Sequence, residues 1–144
     1  ILTGLVGITP AAGFVDAGAA FFIGITTPLI CYFFVSFVKS RLGYDDSLDA
    51  FGCHGMGGVW GALMTGIFCT KAINDAGADG LLYGNPGQLI PQMTGIVTGI
   101  IVAVVMTTLI IKVLGIFMKV RATASEEAQG LDLIDHGERA YNKL

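Results

Sequence analysis

The sequence predicts an all-α integral membrane protein, a helical bundle, and three observations predict it. Of the 144 residues, 53% are hydrophobic and only 13% charged, about half of the roughly 25% usual for soluble domains. The apolar residues gather into long runs almost free of charge, on the scale of the ~20 residues that a bilayer core requires. At Lys119 the composition turns polar and stays so. Membrane helices are therefore expected over residues 1–118 and an aqueous, cytoplasmic tail over 119–144.

The first run, Ile1 to about Gly13, is short of a full span and ends at Thr9-Pro10. It reads as a truncated or re-entrant helix. The opening Ile1-Leu2-Thr3-Gly4 has no basic region and does not resemble a signal peptide, so the chain is expected to be the C-terminal piece of a larger protein. Asp16 interrupts the apolar sequence. An uncharged run from about Ala17 to Val38 then spans the bilayer, with Pro28 as an internal kink whose freed carbonyl neighbours can satisfy. A short polar connector, Lys39 to Ser47, leads into a second span from about Leu48 to Thr70. Residues 71–88 form a loop rich in Asn, Asp and Gly. The third span, Leu89 to about Met118, holds about thirty residues and would reach ~45 Å, more than the ~30 Å core. It should tilt, or project with Lys112 snorkelling. Basic residues concentrate in the connector (Lys39, Arg41) and at the final boundary (Lys112, Lys119, Arg121), against Lys71 alone in the intervening loop. That asymmetry places the connector and the C-terminus in the cytoplasm.

Net charge is −3 and the basic residues are scattered, so nucleic acid binding is not expected. Cys31, Cys53 and Cys69 lie in apolar stretches without metal-ligand spacing, as buried free thiols do. Phosphate-loop, nucleophile-elbow and zinc-protease motifs are absent, so no cofactor, metal or enzyme activity is expected.

His54 is the most informative residue. It lies in Phe51-Gly52-Cys53-His54-Gly55-Met56-Gly57-Gly58-Val59-Trp60-Gly61. An imidazole at membrane depth is costly and usually faces a cavity or a bundle interior. It is also the side chain whose protonation changes most readily near neutral pH. Two readings fit: a hydrogen-bond or proton relay for a small polar solute, or a histidine bonded to a neighbouring helix and doing nothing else. Gly57, Gly58 and Gly61 fall on the same helix face as His54 and smooth it; Gly57-x-x-x-Gly61 also permits close helix approach. Asp45, Asp46, Ser47 and Asp49 precede this helix, either as N-terminal caps or as acids at the mouth of a path. Asp16 either draws cations or sits among headgroups. The hydroxyls of Thr9, Thr26 and Thr27 are expected to bond their own helices. His136 reads as a surface residue of the tail.

Four segments carry a resemblance. They are residues 4–13, Gly-Leu-Val-Gly-Ile-Thr-Pro-Ala-Ala-Gly; Asp45-Asp46-x-x-Asp49-x-Phe51-Gly52-x-His54-Gly55-x-x-Gly58; Met64-Thr65-Gly66-Ile67-Phe68; and Gly130-Leu131-Asp132-x-x-x-His136-Gly137-Glu138-x-Ala140-Tyr141. Together they resemble the C-terminal part of ammonium transporters of the Amt/Mep branch, and the tail fits that branch better than the Rh proteins. The resemblance implies an eleven-helix fold of two inverted halves, of which this chain supplies the end of helix eight, helices nine to eleven and the tail. It implies trimers with one pore per subunit, in the plasma or inner membrane. His54 would be the second histidine of a pore pair whose partner lies in the missing N-terminal half. Thr9 would lie near the pore, and Asp46 and Asp49 would brace the inner end of the histidine helix. Gly130, Asp132, His136, Gly137, Glu138 and Tyr141 would belong to a regulatory tail that couples subunits and can engage PII-type signal proteins. Acids of that tail and Arg139 would dock on Lys39 and Arg41. The implied substrate is ammonium or ammonia. The alternatives are a sensor of the same fold signalling through its tail, for which an output domain is expected, and a membrane enzyme using His54, for which the spans offer no further catalytic group.

Overall fold

A computed structural model describes residues 1–139 and 141. Ala140 of the tail motif and residues 142–144 lie outside them. The described residues form helices and turns, with no strand among them. They group into two compact units, residues 1–100 and residues 101 onward, and one long helix runs through the boundary.

In the first unit, α1 (Leu2–Ile8) tightens into a 3₁₀ turn, Thr9–Ala11, with Pro10 in its first turn, where the missing N–H costs nothing. Asp16 caps α2 (Ala17–Phe33): its Oδ1 accepts the Ala19 N–H at 2.8 Å. Its Oδ2 accepts the Tyr83 hydroxyl at 3.1 Å. The Ala19 bond, then the Tyr83 bond, hold this carboxyl below the usual range. Asp16 thus serves as a helix cap, a role that neither sequence reading gave it.

The helix continues through Pro28 into a π-helical turn, Phe34–Val38, and then α3 (Lys39–Leu42). Ala17–Leu42 is thus one apolar helix, with an 18-residue stretch of mean hydropathy 2.0, and a turn longer than the run ending at Val38. It stops at Gly43, where φ is 64°, a left-handed value that glycine adopts without a steric penalty.

The second helix begins later than Leu48. It opens as a π-helical turn, Phe51–Gly55, and continues as α4 (Met56–Phe68). The delay has a local cause: Asp49 has φ 54°, which cannot be accommodated inside a right-handed helix. The following loop is fixed by Asp79, whose carboxylate accepts from the Thr70 hydroxyl at 3.0 Å and the Lys71 N–H at 2.9 Å. The Lys71 bond, then the Thr70 bond, lower its pKa. α5 (Leu89–Phe117) follows, within an apolar helix Pro86–Phe117 that has an 18-residue stretch of mean hydropathy 2.7. Ala17–Leu42 and Pro86–Phe117 are the two described helices long and apolar enough to cross a membrane.

α1, α2 and α4 pack together through small residues. A Cβ on Gly61 would overlap the Gly7 carbonyl, and one on Gly7 would overlap the Thr27 side chain. This is the close approach expected of the Gly57-x-x-x-Gly61 pattern. Above it, Ala11, Ile23 and Met64 are buried, with Ile8, Val15, Trp60, Leu63, Ile67 and Phe68 around them. Thr9, Thr26 and Thr27 all donate to carbonyls one turn back in their own helices, Leu5 at 2.7 Å, Phe22 at 2.9 Å and Ile23 at 2.7 Å. The three cysteines are free; Cys31 and Cys69 are buried, while Cys53 is only half-buried.

In the second unit, α6 (Ala124–Gln129) starts with a reciprocal cap between Thr123 and Glu126, and α7 (Leu131–His136) follows directly at Gly130, where φ is 98°.

Candidate functional site

His54 is the fourth residue of the π-helical turn. The Met56 N–H reaches back five residues to the Phe51 carbonyl, which inserts one extra residue into the helix at this point. Such insertions re-aim side chains and recur at functional sites. His54 is exposed in this chain, and among the described residues no hydrogen-bond partner meets its imidazole. The reading in which His54 bonds a neighbouring helix and does nothing else therefore finds no partner here.

His54 lines an open cleft of about 380 Å³ with Leu5, Val6, Thr9, Pro10 and Gly58. The structure thus brings His54 and Thr9, separated by 45 positions in sequence, to the lining of one cleft. The Thr9 hydroxyl hydrogen is committed to the Leu5 carbonyl, so its oxygen offers acceptor lone pairs. The cleft combines an imidazole, one such acceptor and apolar walls.

The glycines expected on one face divide their roles. Gly57 packs against Cys31, Val6 and Thr27, and Gly61 against Gly7 and Pro10. Gly58 has nothing within 4 Å of a built Cβ and forms part of the cleft. The extra residue in the π turn precedes all three glycines, so it changes how His54 stands relative to them and leaves their own spacing on α4 unchanged.

Asp46 and Asp49 hold the start of the histidine helix. The Asp46 carboxylate accepts from the Ala50 N–H at 2.9 Å and the Phe51 N–H at 3.0 Å, satisfying donors that a helix start leaves open. Lys39 donates to the Asp46 carbonyl and to Asp49 Oδ1, both at 2.6 Å. A left-handed Asp costs about 1–2 kcal/mol. A hydrogen bond to a charged group contributes about 1.5–3 kcal/mol, on the scale of that cost, and one of the two Lys39 bonds is made to Asp49 itself. Asp46 thus caps the helix start, whereas the Asp49 carboxylate is taken by Lys39. Lys39 enters the sequence reading only as a basic flank and a docking point for the tail; here it is engaged by the connector. A lysine closing an apolar run just before an acid-rich connector was the available signal.

The tail residues lie in the second unit. Asp132 lies in the first turn of α7, His136 in its last, and Gly137 ends it with φ 70°. Glu138 follows, its N–H donating to the Asp132 carbonyl at 3.4 Å, and Tyr141 is exposed. Among the described residues no cluster of three or more His, Cys, Asp or Glu could hold a metal.

The sequence profile of the Ammonium Transporter Family matches residues 1–141. The chain belongs to this family. An ammonium transporter of Bacillus subtilis is 48% identical over 97% of this chain and 35% of its own length. One from Aquifex aeolicus is 45% identical over 99% of this chain and 33% of its own length. The chain thus spans about a third of the length of these relatives. The crystal structure of Saccharomyces cerevisiae Mep2 matches with a TM-score of 0.76 at 36% identity, over 86% of this chain and 29% of that one. Candida albicans Mep2 matches with a TM-score of 0.78 at 33% identity, over 94% of this chain and 31% of that one. The fold is accordingly an ammonium-transporter-like bundle of membrane helices, and the family is one of transport proteins rather than enzymes.

Proposed function

We propose that this chain forms one side of a membrane path for ammonium, with His54 as the second member of a histidine pair. The observation that carries this reading is the cleft shared by His54, Thr9 and Gly58. A bare cation at the bilayer centre costs at least ~2.5–3.5 kcal/mol on insertion scales. Ammonium avoids that cost by releasing a proton, because ammonia is neutral and small. His54 can accept a hydrogen bond from ammonia or donate one to it, and paired with a second imidazole can relay the separated proton. Thr9 supplies a nearby acceptor.

The first histidine, and the walls closing this open cleft, belong in this reading to an N-terminal half. The assembly is a homotrimer with the C-terminus in the cytoplasm. Gly130, Asp132, His136, Gly137, Glu138 and Tyr141 form a regulatory tail that can meet a PII-type protein.

The test is methylammonium uptake in transport-deficient cells expressing this chain behind the N-terminal two-thirds of the Bacillus subtilis relative, with and without His54→Ala. Uptake whose rate or selectivity changes on losing His54 supports the path. An assembled chimera without uptake overturns it and favours a sensor.

A further inference from the structure

Three residues at four-residue spacing on the α2–α3 helix touch the π-helical turn that carries His54 or the connector that leads into it. Cys31 Sγ lies 3.6 Å from the Cys53 carbonyl. Val35 fills the space where a Gly52 Cβ would be, its Cγ2 only 2.5 Å from that position. Lys39 Nζ grips Asp49 Oδ1 and the Asp46 carbonyl, each at 2.6 Å. A thiol contact and a van der Waals contact are weak; the lysine is the strong tie and the one that is charge-assisted. The Cys53 N–H in turn donates to the Asp49 carbonyl at 2.9 Å, so Asp49 links Lys39 to the residue next to His54.

We propose that Lys39 is a positioning residue for His54: it holds Asp49 left-handed, and thereby the π turn in register. A π turn contains one residue more than an α turn. If it relaxes, the residues before it rotate by about a hundred degrees relative to α4. His54 would then leave the cleft it shares with Thr9. The proposal rests on the transport reading for its consequence but not for its geometry, and the two can be tested separately.

The experiment uses the same Bacillus subtilis chimera, in a Cys31→Ala, Cys69→Ala background where Cys53 is this segment's remaining thiol. Lys39→Met keeps the aliphatic stem and removes the ammonium. The expected result is a fall of about tenfold in maximal methylammonium uptake per assembled transporter, the scale on which small misplacements act, with KM unchanged. The rate of Cys53 labelling by a methanethiosulfonate reagent should change in parallel, and Lys39→Arg should restore both. If Lys39→Met does not assemble, Asp49→Asn tests the same link, because Asn tolerates a left-handed backbone but lacks the charge. Unchanged labelling in Lys39→Met or Asp49→Asn overturns the proposal, whatever happens to uptake. Changed labelling in a chimera whose unaltered form carries no methylammonium supports the clamp while counting against the transport reading.

Discussion

Gly4 lies against the carbonyl of Gly24, so close that a Cβ on Gly4 would sit 3.0 Å from that oxygen. Gly24 is four residues before Pro28, and proline has no N–H to return to it. Pro28 thus leaves the Gly24 carbonyl facing the bare backbone of α1. In a bilayer no water is at hand to satisfy such a group, and a glycine Cα–H is the weak donor that can approach it.

Gly4→Val should therefore push α1 away from α2. Overpacking of this kind costs about 1–3 kcal/mol. The expected outcome is a lower melting temperature of the assembled protein in detergent, followed by circular dichroism. Pro28→Ala restores a helical donor to Gly24 and should partly rescue Gly4→Val; independent effects would mean that the freed carbonyl is not what Gly4 accommodates.

Trp60 ties the histidine helix to α2. Its indole Nε1–H donates to Thr26 Oγ1 at 3.0 Å, and the Thr26 hydroxyl donates onward to the Phe22 carbonyl at 2.9 Å. Trp60→Phe keeps the ring and loses the bond. Thr26 retains its own donor role, so nothing is left unsatisfied except one lone pair. The expected loss is small, about 0.6 kcal/mol as for other interhelical bonds in membranes. Trp60→Ala should cost considerably more, because its ring packs beside Ile23 and Met64. Equal melting temperatures for Trp60→Phe and Trp60→Ala would place the contribution in the hydrogen bond instead of the ring.

The sequence made the helices legible because charge marks their ends: Asp16 before α2, Lys39 and Arg41 after it, Lys119 beyond α5. His54 was legible because an imidazole among glycines in an apolar run has few other uses. Three features were not. The start at Phe51 instead of Leu48 depends on the left-handed Asp49, which composition does not encode. The bearing of His54 relative to Gly57, Gly58 and Gly61 depends on a one-residue π insertion ahead of α4, invisible to a uniform helical period. The Lys39 clamp depends on which way a long side chain turns from the last stretch of its helix.

The tail carries its own pH dependence. Glu126 is held at a pKa of about 2, below its ordinary 4.5, first by the Lys119 ammonium and then by the Thr123 N–H and hydroxyl. A carboxylate with a depressed pKa contributes order that is complete above its unfolded value and lost as pH falls through its folded one. The cap on α6 should thus persist above about pH 4.5 and disappear towards about pH 2. Carbon-13 NMR of the Glu126 carboxyl in micelles measures this, and Lys119→Met should move its midpoint up. A midpoint at the ordinary carboxylate value would mean that the Thr123 cap and the Lys119 pair do not form in solution.

Gly58 and Gly61 are three residues apart on α4 and should answer opposite questions. Gly61→Ala must displace α1, because its methyl group would overlap the Gly7 carbonyl; assembly and melting temperature should both fall. Gly58→Ala meets nothing within 4 Å, and alanine is intrinsically the better helix former by about 1 kcal/mol. Stability should hold or rise. The methyl group would instead project into the cleft beside His54, where it narrows the space open to a solute. Methylammonium, larger than ammonium by one methyl group, should be excluded more strongly, so the ratio of ammonium to methylammonium uptake should increase in a protein that melts no earlier than the unaltered one. An unchanged ratio would mean that solute does not pass Gly58, and the cleft would then be a packing surface rather than part of the path.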